Sequence, residues 1–333
     1  MIARRLRASL KGWGGVGAML LACVLTAVLV LLPLTRAHGD GSTGTGGPGL
    51  ADATQVTADS CGEHPERLSP APSADQSGPA VTEIVKRGYL SVGVDQNSYR
   101  WGYRDPSTRG GDLEGFDIDL AHEMARQILG DAAAVRFHAI PTNQRIPAIR
   151  SGQVDVVVRT MTITCDRLRD VAFSDPYFVT GQQVLAPKAS GITGYDASLA
   201  HRRICSAEGS TAGIRLAEDK KDHTLPASAD ISTTVPNQLD CLVKLQLGEV
   251  DAIVTDGALA ASQAAQDPAV ELKGRPFTTE YYGVAMNKRS VDLVRRVNQV
   301  LVDYGRSGWG ASYDKWLSRT LGADSASSRP PSR

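Results

Sequence analysis

Two stretches of thirteen residues, AIRSGQVDVVVRT (148–160) and KLQLGEVDAIVTD (244–256), repeat one pattern. Each starts as the amphipathic end of a helix and reaches a glycine, Gly152 or Gly248, suited to a C-cap. Each then runs through a Val-Asp pair into a short apolar strand and stops at polar residues. Open α/β sheets bind ligands beyond the carboxyl ends of their strands. The repeat therefore predicts two α/β lobes whose strand ends face one another across a cleft.

The neighbouring segments extend this reading. VTEIVKRGYLSVGVDQN (81–97) reads as a helix followed by a strand ending at Asp95. GFDIDLAHEMARQILGD (115–131) opens a helix with Asp117 and Asp119 in its first turn, where the helix dipole favours them. VRFHAI (135–140) is a further strand, and NQRIPAIRSG (143–152) turns through a helix into the first repeat. A second series follows: RRICSAEGSTAG (202–213) as strand, loop and helix start, then the second repeat. YYGVAMNK (281–288) reads as a strand and DLVRRVNQVLVDYG (292–305) as a closing helix. The joints fall near 179–186 and 278–286. This divides the chain into a first part of lobe 1 (81–182), an inserted lobe 2 (183–280), and a return strand with the second part of lobe 1 (281–320).

The N-terminus sets the compartment. MIARRLRASLKGW carries four basic residues and no acidic one, and it precedes VGAMLLACVLTAVLVLLPL. These are the charged and apolar regions of an export signal or N-terminal anchor over residues 1–37. Cleavage near Ala37, retention as a membrane tether and lipidation at Cys23 each fit, although most of the apolar run lies after Cys23. All three place the folded part outside the cytoplasm. Residues 38–80 are rich in Gly, Pro, Ser, Thr and Asp and read as a flexible stalk. Residues 321–333 read as a disordered tail. Formal charge is balanced, with 36 basic and 36 acidic residues, and no basic stripe supports nucleic-acid binding. Four cysteines follow the leader: Cys61, Cys165, Cys205 and Cys241. In an exported chain they favour disulfides, with three possible pairings. No CxxC occurs and the histidines do not cluster with the cysteines, so neither a metal nor another cofactor is expected.

RTMTITCDRLRDVAFSDPY (159–177) places the candidate site. A guanidinium such as Arg167 grips a carboxylate through two parallel hydrogen bonds. Thr160 and Thr162, two residues apart, let hydroxyls or amides converge on the same anion. In the other lobe, Ser210 and Thr211 precede a helix whose N-terminus offers amides and dipole. Asp256, at its strand end, either receives an ammonium or caps the helix that follows. A carboxylate clamp facing a carboxylate describes an α-amino acid site.

Together GYLSVGVDQN, LEGFDIDLA, NQRIPAIRSGQVDVVVRTMTITCDR, VAFSDPYF, CSAEGSTAG, CLVKLQLGEVDAIVTD and YYGVAMNK resemble the extracellular solute-binding proteins of polar amino acid ABC transporters. The resemblance covers residues 81–320 and is strongest to the actinobacterial glutamate, aspartate and glutamine-type members. It implies a two-lobe, periplasmic-binding-protein-like (type II) fold, with two crossing hinge strands and a central cleft. It also implies a monomer that hands one amino acid to a membrane permease. By the same resemblance Arg167 holds the ligand α-carboxylate with Thr162 in support, and Thr160 faces the ligand. Asp256 receives the α-ammonium, and Ser210 and Thr211 donate from the closing lobe. Arg145 reaches a side-chain carboxylate, and Asp95 lies at the first strand end near the cleft. Arg159 replaces a small apolar residue and adds positive field or pairs with Asp95 or Asp155. Several arginines favour glutamate or aspartate, with glutamine and asparagine next.

With the lobes so placed, Cys205 and Cys241 share the inserted lobe and are the expected pair, which leaves Cys61 to Cys165. A cross-lobe bond would resist hinge opening. An enzyme on this scaffold is the alternative of another class. No GxSxG and no Cys-His spacing support it, and Asp256 is wanted as an ionised counter-charge rather than a general acid. An amino acid-sensing ectodomain or accessory protein would share the scaffold, and genes for a permease or a kinase beside it would separate the two.

Overall fold

The computed structural model describes residues 61–105, 107 and 111–331. The leader, with Cys23 and Ala37, and the stalk up to residue 60 lie outside the described residues.

Lobe 1 begins with helix α1 (Pro79–Arg87), which has proline in its first turn and closes on Gly88 at φ 78°. Strand β1 (Leu90–Val94) follows, buried along its whole length as a strand covered on both faces must be. A small antiparallel sheet of β2 (Asn97–Ser98), β3 (Gly102–Arg104) and β4 (Leu113–Glu114) leads into α2 (Phe116–Leu129). The entry to α2 demands glycine: Gly115 sits at φ 132°, and a Cβ there would lie 2.3 Å from the Trp101 carbonyl oxygen. Next come β5 (Val135–Ala139), α3 (Arg145–Arg150), β6 (Val156–Val157), the short α4 (Cys165–Leu168) and β7 (Val171–Thr180).

The chain then changes sheet. Strand β8 (Gln182–Pro187) belongs to lobe 2, with β9 (Arg203–Ala207), α5 (Thr211–Lys221), β10 (Asp230–Val235), α6 (Gln238–Gln246), β11 (Ala252–Asp256), α7 (Gly257–Ala264) and β12 (Val270–Lys273). It returns through residues 274–279 to β13 (Glu280–Asn287), and α8 (Val291–Trp316) and α9 (Ser318–Leu321) complete lobe 1. The two five-stranded sheets run β5-β1-β6-β13-β7 and β10-β9-β11-β8-β12. In the first, β1 is parallel to β5 and β6 while β13 is antiparallel to β6 and β7. In the second, β9 is parallel to β10 and β11 while β8 is antiparallel to β11 and β12. This is the two-lobe, type II α/β architecture. At the crossing the two segments touch: Phe277 N–H donates to the Gln182 carbonyl at 2.9 Å. A Cβ on Gly181 would come within 2.2 Å of the Thr278 carbonyl oxygen.

Each lobe has its own apolar centre. In lobe 1 Trp101 is fully buried and meets Phe178, Phe116 and Tyr282 edge-on at centroid distances of 4.8, 5.6 and 5.8 Å. Lobe 2 packs Val184, Ile204, Leu216 and Val254 between sheet and helices.

Three boundaries differ from the sequence expectation. Residues 61–78, read as stalk, lie against lobe 1. Cys61 is buried, Ser69 Oγ donates to the Phe173 carbonyl at 2.9 Å, and Asn298 Nδ2 donates to the Pro70 carbonyl at 2.6 Å. The segment is poor in large apolar residues, but β7 and α8 take up its polar groups. The closing helix runs past Gly305 to Trp316, because Trp309, Tyr313 and Trp316 return to its buried face. The segment read as a disordered tail forms a single 3-10 turn, Ala326–Ser328, and stacks the Arg329 guanidinium 5.2 Å from the Trp309 ring centroid.

Disulfides join Cys61 to Cys165 and Cys205 to Cys241, each with a Cα separation of 5.7 Å. Closing a loop of 36 residues in the unfolded chain is worth about 4 kcal/mol in the chain-entropy account. Replacing Cys205 and Cys241 together by alanine is therefore expected to lower unfolding free energy by about 2–4 kcal/mol. Urea unfolding of the oxidised protein and the double variant measures it, and equal midpoints would contradict it.

Candidate functional site

The carboxyl ends of β6 and β1 in lobe 1 face those of β9 and β11 in lobe 2. Beyond β6 the backbone turns at Thr160, which holds φ at 41°. Two buried groups fix that turn. Thr160 N–H donates to Asp117 Oδ2 at 3.1 Å, and Tyr177 Oη donates to Asp117 Oδ1 at 2.9 Å. Burial lifts the Asp117 carboxyl to about 7, against the hydrogen bonds from Tyr177 and Thr160 that lower it.

The next turn builds the clamp. Thr164 caps α4, its side chain accepting from Arg167 N–H, and so fixes where the arginine emerges. Arg167 is buried. Its Nη1 donates to the Thr162 carbonyl at 2.7 Å and its Nη2 reaches across to the Gly209 carbonyl of lobe 2 at 3.1 Å. Thr162 thus supports the guanidinium through its carbonyl.

Arg145, at the start of α3, aims at the same oxygen. Its Nη2 donates to the Gly209 carbonyl at 3.4 Å, while Nε and Nη1 donate to the carbonyls of Thr142 and Arg159 at 2.9 and 3.2 Å. Burial pulls both guanidinium groups down from their usual range, Arg145 most, where the charges of Arg167 and Arg159 add to the effect. Arg159 is fully buried and forms an ion pair of 2.8 Å with Asp95. Asp95 also accepts from Ser98 Oγ and from the amides of Gln96 and Asn97. Asp95 therefore holds Arg159 and its own loop, and Asp155 pairs with Arg87 instead.

In lobe 2, Gly209 sits at φ 73°, and a Cβ there would lie 3.0 Å from Asn143 Cα in lobe 1. Ser210 caps α5: its Oγ accepts from Gly213 N–H at 3.1 Å and donates to the Ala207 carbonyl at 2.6 Å. Asp256 occupies the cap position of α7 without capping it. Its Oδ2 accepts from Tyr282 Oη at 2.6 Å. Burial, then the charge of Glu280, raises the Asp256 carboxyl, against the Tyr282 bond and the charges of Arg167 and Arg145.

Glu280 itself is buried. It accepts from Gln182 Nε2 at 3.0 Å, Thr278 Oγ1 at 2.9 Å and Thr211 Oγ1 at 3.1 Å. The sequence reading missed this residue, along with Asp117 as a support for Thr160. The signal for Glu280 lay in strand period: Glu280 and Tyr282, two apart on β13, share a face.

The structure therefore gathers Arg145, Arg167, Thr160, Thr162, Thr211, Asp256 and Glu280, whereas Ser210 and Asp95 serve their own loops. Further contacts join the lobes beside them. Thr142 N–H donates to the Pro236 carbonyl at 3.0 Å, and Asn143 Nδ2 donates to Glu208 Oε2 at 2.8 Å. The arrangement suits a small zwitterion, with a cationic fork on one side and carboxylates on the other. Among the described residues no group of three or more His, Cys, Asp or Glu is placed to hold a metal ion.

Residues 90–319 match the family model of bacterial extracellular solute-binding proteins, family 3. The ABC transporter glutamine-binding protein GlnH of Bacillus subtilis is 32% identical over 246 residues, covering 74% of this chain and 87% of that protein. The glutamate-binding protein GluB of Corynebacterium efficiens is 26% identical over 264 residues, covering 75% and 84%. The solved solute receptor for L-cysteine of Neisseria gonorrhoeae superposes with a TM-score of 0.68 at 26% identity, covering 75% of this chain and 99% of that one. The similarity is thus not specifically actinobacterial.

Asp117 supplies a pH test. Its carboxyl rises from 3.8 in the unfolded chain to about 7 in the fold, so folding takes up a proton between those values. This acid therefore lowers stability as pH climbs through that window, and its effect is constant above it. Asp117→Asn is expected to remove that slope. Urea midpoints of both proteins between about pH 4 and about pH 8 would test it, and parallel profiles would exclude the assignment.

Proposed function

Because the chain belongs to the bacterial extracellular solute-binding proteins of family 3, which bind a polar amino acid outside the cytoplasm for an ABC transporter, we propose that its ligand is an amino acid with an uncharged polar side chain, L-glutamine foremost. The ligand α-carboxylate lies on the Arg167 fork, supported by the turn at Thr160 and Thr162. The α-ammonium lies on Asp256, and Thr211 donates from the closing lobe. The chain binds and releases its ligand and is not an enzyme.

The observation that carries this reading is the charge census of the buried cleft. Arg145 and Arg167 are matched by Asp256 and Glu280, and Arg159 is matched by Asp95. A zwitterion with a neutral side chain keeps that balance. A second ligand carboxylate adds a buried charge without a partner, which is costly in a site of low polarity. The expectation of an acidic ligand rested on counting arginines. Arg159 is now paired, and the three Arg145 hydrogen bonds all end on backbone carbonyls. The name of the Bacillus subtilis relative agrees with the neutral reading.

Asp256 must be ionised to receive the α-ammonium, and burial raises its carboxyl, so binding of every α-amino acid is expected to weaken as pH falls.

Calorimetric titration of the purified protein with the amino acid set tests the ligand. Tightest binding of a branched-chain or aromatic amino acid would sink the proposal. Arg167→Ala is expected to cost about 2–5 kcal/mol of affinity, and Asp256→Asn to weaken every α-amino acid. Unchanged affinity in both variants would rule out the orientation.

A further inference from the structure

Glu280 stands where three parts of the molecule meet. It is the first residue of the return strand, Gln182 is the first residue of the outgoing one, and Thr211 opens the helix of the closing lobe. Its carboxylate accepts from both of those side chains and from Thr278. Arg167 is close by on two routes. The guanidinium donates to the Thr162 carbonyl, and Thr162 forms an isolated bridge with Tyr282, two residues along the strand from Glu280. It also donates to the carbonyl of Gly209, two residues before Thr211. Among the charges that act on Arg167, Glu280 is the leading stabilising one, ahead of Asp256.

Three donors hold this carboxylate in place, so it is a fixed negative charge rather than a swinging side chain. Neither a hinge contact nor a link between lobes needs a full charge here, since a glutamine would also accept from Thr211 or Gln182. What the charge adds is a counterweight to the arginines that does not depend on the ligand.

We propose that Glu280 is a specificity-determining residue: its carboxylate sets the net charge of the cleft and so turns away ligands that carry a second carboxylate. The inference rests on the reading of the cleft as an amino acid site. It adds that preference for the neutral over the acidic side chain is set at a position that need not touch that side chain. Preference along the charge series of the ligand then follows the charge at residue 280.

The test compares the wild type and Glu280→Gln by calorimetric titration with glutamine, glutamate, asparagine, aspartate and arginine at one pH and salt concentration. The variant should raise affinity for glutamate relative to glutamine by at least about tenfold, as expected for a unit charge removed at close range in a partly dry site. Equal weakening of all ligands, with the ratio unmoved, would show a hinge role only and overturn the inference. A wild type that binds neither glutamine nor glutamate would overturn the ligand reading instead. The Glu280 inference would then still require the variant to shift preference towards more negative ligands, and no shift would overturn it. Should the glutamine variant fail to fold, Glu280→Asp, which withdraws the charge by one methylene, must move the ratio in the same direction by a smaller factor.

Discussion

A guanidinium removed from water must find acceptors for its N–H groups or the fold loses several kcal/mol, and this protein buries three of them where its lobes meet. Backbone carbonyls meet most of that need. Arg145 takes those of Thr142, Arg159 and Gly209, and Arg167 takes those of Thr162 and Gly209. The Gly209 oxygen is the shared term. It belongs to lobe 2 and the two arginines belong to lobe 1, so the apposition of the lobes and the solvation of the clamp are one event. Much else follows from keeping that oxygen in reach. Gly209 has positive φ and lies close against Asn143, Ser210 caps the helix behind it, and Thr164 fixes the start of the clamp helix.

The third arginine shows the same constraint met differently. Arg159 sits at the end of β6, fully buried, and is matched by Asp95 at the end of the neighbouring β1. Its remaining bonds run to Thr142 Oγ1 and to Asn237 Oδ1 of lobe 2. A charge that is already paired offers little to a ligand, but it ties two strand ends together beneath the cleft. One arginine thus organises the floor while two others reach across.

The fold was legible because its signals are local and repeated. Gly152 and Gly248, each followed by a Val-Asp strand, mark the same unit twice, and their polar strand ends identified Thr160 and Asp256. Arg167 stood out as a possible anion fork after a turn of threonines, with a surface ion pair as the plainer alternative. The fold buries its guanidinium against the Gly209 carbonyl of the other lobe. Other parts were hidden because they depend on long-range pairing. Asp117 looks like a dipole-matching acid in a first helical turn, and only the tertiary approach of Tyr177 and Thr160 gives it another task. The pairing of Arg159 with Asp95 was one of the alternatives open in the sequence, and only the tertiary structure selects it over Asp155, which Arg87 takes. Glu280 lay at an inferred joint, where attention goes to the boundary and not to the side chain. Residues 61–78 have the composition of a linker, and it takes Cys165, Phe173 and Asn298, distant in sequence, to make them part of a lobe.

The disulfides join cysteines that are consecutive in chain order: counting from Cys61, the first meets the second and the third meets the fourth. A chain threaded through a membrane from its N-terminus presents its thiols to an oxidising space in that same order. When Cys165 emerges, Cys61 is the one earlier partner of the set, and once they are joined, Cys205 has none until Cys241 arrives. Pairing each newcomer with the thiol still waiting gives the native connectivity without reshuffling, which otherwise takes seconds to hours. Lobe 2 is also continuous between its crossings, so it can fold while the end of the chain is still in transit. Lobe 1 must wait for β13 and α8, and no order of oxidation can shorten that wait.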